Sequence, residues 1–428
     1  MKRVTQAPED QRMARRRLLI LIGSVGMLFV SGGAMFTIVV ALKDIAMEFG
    51  WPRAVPSFAF SLQYMGSGIG GIVMGYALDR FGFVVPAVVG AVMVGTGALL
   101  ASQVDTAWQL YVIYGVMFGL SGQGSLAAPA LANIARWYED RRGMAVGITA
   151  SGQSLAGIIW PPIFGWALIT LGWREMYFWF GVFALCTMLP LCLLVYHRPP
   201  AYHAPPAEPK ETAPATNANS TETAPAALLR PALSPMAIQV WLSIAIIGCC
   251  IAMSLPLGHL VALVSDIGYP ITDAVEVLSI TLMAAFVSRS VMVGFLSDRF
   301  GGMRALLIFA GLQAVTLGAF TMVSELWAFY AISILYGLGY GGIFPVYAVA
   351  VRDHLPVTEA GRRTGIIFMF GAVAMGIGSW MGGVLFDLTG SYTLPFFIGV
   401  AVNLAMLAIV AALAARLGLF RSRQASNI

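Results

Sequence analysis

The chain has 428 residues, of which 59% are hydrophobic and only 11% charged, with a mean hydropathy of +0.82. That leaves too little polar surface to coat a water-soluble globule of this size, so the implied solvent is a lipid bilayer. The formal net charge of +5 then calls for no nucleic-acid partner, and the four cysteines, Cys186, Cys192, Cys249 and Cys250, sit in apolar runs without disulfide or metal-site context.

Residues 1–17 are polar and basic and read as an N-terminal cytoplasmic tail. The apolar stretch from Leu18 has no small-residue cleavage pattern behind it, which predicts a retained span and no removed signal peptide. Cutting at charged and Pro/Gly-rich breaks predicts six spans in a first half, 18–197, at 18–42, 55–78, 84–103, 107–135, 143–170 and 174–196. Six more follow in 236–416, at 236–264, 274–297, 303–323, 326–351, 363–386 and 391–415. Each is near the ~20 residues that cross ~30 Å of hydrocarbon as a helix. The segment 198–235 is rich in Pro, Ala and Thr, lacks a periodic apolar face and reads as a flexible cytoplasmic linker, and 417–428 reads as a cytoplasmic tail. The expected fold is an all-α polytopic membrane protein with twelve transmembrane helices in two six-helix halves.

Of the 25 Lys and Arg residues, all but Lys43, Arg53, Arg174 and the mid-span Arg289 fall in the termini, the linker or the even-numbered connections. The positive-inside rule therefore places both termini in the cytoplasm, with the basic side against anionic lipid, as in a bacterial inner membrane.

The halves echo each other in two loops. After the second span stands Gly75-Tyr76-Ala77-Leu78-Asp79-Arg80-Phe81-Gly82, and after the eighth Gly294-Phe295-Leu296-Ser297-Asp298-Arg299-Phe300-Gly301. The pair resembles the signature loop of the major facilitator superfamily, whose members are two six-helix halves rocking about a central site. Asp79, Arg80, Asp298 and Arg299 are then expected to form a cytoplasmic latch, the carboxylates capping a helix N-terminus or pairing with arginine until the halves rock.

Two G-x-G-x-x-G matches, at Gly66–Gly71 and Gly337–Gly342, lie inside apolar spans and follow no strand, so they are not dinucleotide sites. The glycine pairs Gly71/Gly75, Gly115/Gly119, Gly337/Gly341 and Gly378/Gly382 instead suit close helix approach. No phosphate-binding G-x-x-x-x-G-K-[ST] loop occurs, which points to secondary transport without a nucleotide cofactor, and no nucleophile–base pair or paired carboxylates suggest an enzyme.

Arg289 carries the most chemical information. It stands mid-membrane, nine residues before Asp298, about 13 Å along a helix, with no carboxylate in the neighbouring turns. An arginine at a helix centre costs roughly 2.5–3.5 kcal/mol on insertion scales, so it needs an aqueous cavity or a partner. Its planar fork suits a carboxylate substrate.

Over nearly the whole chain outside the linker and tails, the sequence resembles the monocarboxylate transporter branch. The likeness rests on Arg136-Trp137-Tyr138-Glu139-Asp140-Arg141-Arg142-Gly143-Met144-Ala145-Val146-Gly147, on Gly172-Trp173-Arg174 and Phe180-Gly181, and on Arg289, where that family's carboxylate-binding arginine falls. The resemblance implies transport of lactate, pyruvate or related acids, linked to protons. A bacterial branch of oxalate/formate antiporters shares much of the pattern and implies anion exchange. The proton-linked lysine of animal members falls on Phe36, and their aspartate one turn before the arginine falls on Ala285. A non-transporting carboxylate sensor and a drug exporter use the same fold and stand as further alternatives.

Further candidates for the cavity are Tyr340, whose hydroxyl suits a carboxylate, Gln123 in the Gly-rich fourth span, and Phe36 as apolar wall. Tyr336 and Tyr347 share the helix of Tyr340, and Gln63, Gln153 and Asn403 are further intramembrane polar groups without an assigned role. His259, the one histidine in or beside a span, is a candidate proton site.

Overall fold

The protein is described by a computed structural model covering residues 3–138, 142–197, 233–355 and 360–419, with residues 3–12, 142–143 and 360–362 given as backbone alone. Helix is the regular structure throughout, and no strand occurs among the described residues. The first half runs α1 (Arg3–Phe49), α2 (Ala54–Phe81), α3 (Val84–Ala101), α4, α5 (Arg142–Leu171) and α6 (Trp173–Leu194). In α4, Ala107–Val112, Ile113–Gln123 and Gly124–Trp137 follow one another without a break. The second half runs α7 (Pro235–Asp266), α8 (Ile271–Phe300), α9 (Gly302–Ala319), α10 (Leu326–His354), α11 (Ala360–Thr389) and α12 (Thr393–Arg416). Ten of the twelve are long and apolar enough to cross a membrane; α2 and α4 are as long but diluted by Gly, Ser and Gln.

Boundaries shift where hydropathy and helix propensity disagree. The segment 1–17 is helical from Arg3, because its Arg, Glu, Gln and Ala residues favour helix without being apolar. Likewise α1 continues past 42 through Lys43 and Asp44 until Gly50, whose φ of +63° ends it. The linker lies outside the described residues except for 233–235, where Ser234 Oγ accepts from the Ala237 N–H and Pro235 opens α7. Residues 139–141 of the loop after α4, and 420–428, also lie outside them.

The repeated loops repeat in backbone too: Gly82 and Gly301 turn the chain at φ +81° and +78°. That region of φ is open to glycine and costly for other residues. The close helix approaches fall on glycine, though not always on the expected ones. A Cβ on Gly337 or Gly341 would stand 2.2 Å from the Thr281 carbonyl or 2.5 Å from that of Ala285, and one on Gly119 would stand 2.7 Å from the Gln63 carbonyl. Gly378 and Gly382 press on α7, whereas Gly75 meets nothing and Gly71 only Ala128 at 3.6 Å. The contact expected at 71/75 is made by Gly66 and Gly70, which abut the carbonyls of Gly115 and Leu120.

Large apolar side chains such as Trp166, Leu193, Val315, Met322 and Leu404 stay exposed on the outside of the bundle, as a protein solvated by hydrocarbon requires. The halves meet chiefly along α2–α11 and α5–α8, with α1 against α7, and the meeting is lopsided. Ser61 Oγ donates to the Gly376 carbonyl at 2.5 Å, and Gly383 abuts Arg53 and Ser57. Further along the same face of α2, Ile72 and Tyr76 are 57% and 76% exposed. The halves are closed at the Arg53 end, here the gate end, and apart at the Asp79 and Asp298 end, the loop end.

Candidate functional site

Between the halves, at mid-depth, lies a cavity of about 300 Å³. Arg289, Tyr340, Gln123 and Phe36 all line it, and Arg289 is the one charged side chain among its lining residues. The other polar groups are Tyr64, Gln153 and Ser154; the remainder is Met, Leu, Phe, Ala and Gly.

Arg289 sits in a wide π-type turn, Ser288–Met292, that interrupts α8. Such a turn inserts a residue into the helical ladder and commonly marks a functional position. Glycine fixes what the arginine meets. Because Gly341 lets α10 lie against α8, its carbonyl accepts a hydrogen bond from Arg289 Nε at 3.0 Å. That contact occupies one edge of the guanidinium. Among the described residues no carboxylate pairs with Arg289, and its terminal nitrogens make no hydrogen bond there. The Tyr340 ring lies 6.0 Å from the guanidinium carbon, at the edge of cation–π range. Tyr336 and Tyr347 share its helix but are fully buried away from the cavity, the Tyr336 hydroxyl donating to the Met253 carbonyl at 3.2 Å.

Gln123 closes a second π-type segment, Ile113–Gln123, so both polar side chains from interrupted helices face one cavity. Of the amides left unassigned, Gln153 reaches the cavity. Gln63 packs on Gly119, and Asn403 donates to the Ala310 carbonyl at 3.2 Å. Tyr64 and Ser154 carried no signal in the sequence, because a lone Tyr or Ser in an apolar span reads the same on either face.

The gate end is a polar lock whose ion pairs sequence reading did not find. Arg53, in the turn between α1 and α2, grips Asp266 at the end of α7 in two hydrogen bonds of 2.5 and 2.9 Å, and Lys43 joins the same carboxylate at 2.7 Å. Arg53 also packs over the Phe386 ring at 3.8 Å and donates to Tyr392 Oη at 2.9 Å. Asp387 caps α2 from the other half, accepting from the backbone N–H groups of Arg53 and Ala54 at 2.8 Å each. Burial works to lower the Arg53 pKa, but the hydrogen bonds to Asp266 and Tyr392 outweigh it and hold the group above its ordinary value.

His259 belongs to this lock and not to the cavity. It is fully buried; Nε2 donates to the Ser379 carbonyl at 2.8 Å, which leaves Nδ1 to accept from Tyr392 Oη at 3.2 Å. The order Ser379–His259–Tyr392–Arg53–Asp266 thus leads from one half into a residue of the other and back.

At the loop end, Asp79 Oδ1 accepts from Arg136 at 2.5 Å, within its own half. Arg80 and Arg299 lie over the neighbouring rings of Phe81 and Phe300. Among the described residues Asp298 has no ion-pair partner, and the helix N-terminus beside it is capped by Asp353, which accepts from the Gly302 N–H at 3.1 Å.

Comparison with known proteins agrees with this architecture. The Major Facilitator Superfamily profile matches residues 24–325 and 240–426. The MFS-type transporter pynF of Aspergillus niger is 28% identical over 76% of the chain and 70% of its own length. Monocarboxylate transporter 13 of Rattus norvegicus is 25% identical over 90% of the chain and 83% of its own length. Among solved structures, a bacterial homologue of the human lysosomal transporter Spinster, in its inward-facing and unoccupied conformation, superposes with a TM-score of 0.65 at 14% identity, covering 94% of this chain and 96% of that one, a likeness of fold alone. The chain belongs to the major facilitator superfamily of membrane transporters and shares the sequence likeness of its monocarboxylate transporter branch.

Proposed function

We propose that the protein is a secondary active transporter of small organic monocarboxylates, working by alternating access and linked to protons. The observation that carries this reading is Arg289, the one charge in a cavity between two halves, with one edge held by the protein and the other unengaged. A carboxylate accepts two parallel charge-assisted hydrogen bonds from such a fork, and a largely apolar surround strengthens them. The name of the rat relative points the same way. With both termini cytoplasmic in a bacterial inner membrane, the loop end faces inward, and the cavity as it stands is open to the cytoplasm. The latch role of Asp79, Arg80, Asp298 and Arg299 then belongs to the opposite state, in which the loop ends close.

Proton linkage enters through the gate. A proton on His259 would take away the acceptor of Tyr392 Oη and place a second positive charge beside Arg53, loosening the lock from the outside. Carboxylate exchange is the second reading. It is favoured by the lack of any acid in the cavity, since an empty carrier would return with the Arg289 charge uncompensated. Moving that charge through the membrane potential is worth about 2.3 kcal/mol per 100 mV. Proteoliposomes containing buffer alone, given an inward proton gradient and labelled monocarboxylate, decide between them. Accumulation that collapses with a protonophore supports symport, and uptake that requires internal carboxylate establishes exchange. Uptake at the wild-type rate by a folded Arg289→Ala protein would overturn both.

A further inference from the structure

The cavity's one charged side chain and most of its apolar side chains are offset from one another along the membrane normal. Arg289 lies 18 residues into α8 from the gate end, about 27 Å deep at ~1.5 Å per residue. On the same count Leu282 lies about 17 Å deep and, on α7, Leu257 about 14 Å. Met253 and Met375, 13 and 14 residues from the gate ends of α7 and α11, lie about 20 Å deep. Phe36 closes this floor, its ring tip and Leu282 meeting at Gly157, where a Cβ would stand 3.1 and 2.9 Å from them. The cavity floor, on the gate side of the arginine, therefore carries no charged group over about 10 Å, and its polar side chains are Tyr64 and Tyr340, about 15 and 21 Å deep on the same count.

Size adds a constraint. At about 30 Å³ per water, a cavity of about 300 Å³ holds on the order of ten waters, and it sits at the lower end of the volumes that enclose drug-sized ligands. A two- or three-carbon acid on Arg289 would displace only a few of them and leave the floor wet. A floor that includes two thioethers and a phenyl ring suits an aromatic tail above an alkyl one, because methionine sulfur packs favourably on ring edges and adapts its shape.

Resting on the reading of Arg289 as carboxylate anchor, we infer that the preferred substrates are aryl-substituted monocarboxylates. Their carboxylate faces the loop end at Arg289, and their ring lies on the floor of Phe36, Met253, Leu257, Leu282 and Met375. A ring joined to the carboxylate by one or two carbons spans the ~10 Å available.

The test is binding to the full-length protein in detergent, by calorimetry and by shift of the melting temperature, using propionate, 3-phenylpropionate and 3-phenylpropionamide. The expected result is 3-phenylpropionate binding on the order of ten- to a hundred-fold more tightly than propionate, from the extra apolar area removed from water. The amide is expected to bind at least ten-fold more weakly than the acid. Met375→Ala should narrow the preference for 3-phenylpropionate over propionate several-fold. Propionate binding as tightly as 3-phenylpropionate, or an unchanged preference in Met375→Ala, overturns the aryl-tail inference and leaves the carboxylate anchor standing. An amide that binds as well as the acid, or no binding by either acid, removes the anchor and the inference with it.

Discussion

A guanidinium in hydrocarbon is stable only where something answers its five donors, and at Arg289 the described residues answer one, through the Gly341 carbonyl. Arg289→Lys keeps the charge and loses both the fork and that backbone contact. It should fold normally yet transport on the order of ten- to a hundred-fold more slowly, read as uptake into vesicles. Tyr340→Phe removes a hydroxyl and keeps the ring, so it should weaken carboxylate binding by about 1 kcal/mol, several-fold in Kd, with no change in melting temperature of the unliganded protein. Arg289 was legible in the sequence because a charge inside an apolar run has few uses. Gln153 was visible as a polar group without a role, and Tyr64 was not visible at all. The difference is physical: a side chain's cost in the bilayer announces it, but the face on which it stands depends on neighbours hundreds of residues away.

At the level of the helix, glycines that look alike in sequence separate by what a Cβ would meet. At Gly337 it would collide with backbone, the Thr281 carbonyl at 2.2 Å, while at Gly75 it would enter open space. Gly337→Ala should therefore force α8 and α10 apart and destabilise by about 1–3 kcal/mol, the usual cost of overpacking. Gly75→Ala should be neutral or stabilising by up to about 1 kcal/mol, through helix propensity. Melting of the two variants in detergent checks the contrast, and equal losses would contradict the packing described here. Helix existence was readable from hydropathy, and the twelve rods fall where apolar runs predict them. The wide turns at Ile113–Gln123 and Ser288–Met292 were not, because an inserted residue leaves the apolar composition unchanged while it alters which side chains face the cavity.

For the whole molecule, alternation between two open states demands a lock that is specific and weak. Asp266 holds both Arg53 and Lys43, but all three side chains retain partial contact with solvent, 24%, 15% and 25% exposed. Pairs of that kind contribute roughly 0.2–1 kcal/mol each when exposed, somewhat more for a bidentate arginine, so the gate can open without a large barrier. Of this lock only His259 was singled out in the sequence; the ion pair was not, since Arg53 and Asp266 stand 213 positions apart and each alone looks like an ordinary loop charge. Asp266→Asn removes the acceptor charge shared by both cations and leaves the cavity untouched. It should shift the population toward gate-open molecules by a factor of about 5–30, the equivalent of roughly 1–2 kcal/mol. A cysteine placed at Leu257, on the gate side of the cavity and 6% exposed, reports the change in a background lacking the native cysteines. Its labelling by a membrane-impermeant thiol reagent from the gate side should rise in Asp266→Asn. In Asp79→Asn, whose carboxylate is engaged with Arg136 in its own half, it should stay at the parent rate or fall. If Asp266→Asn labels no faster than its parent, the Arg53–Asp266 pair is not what holds the gate shut.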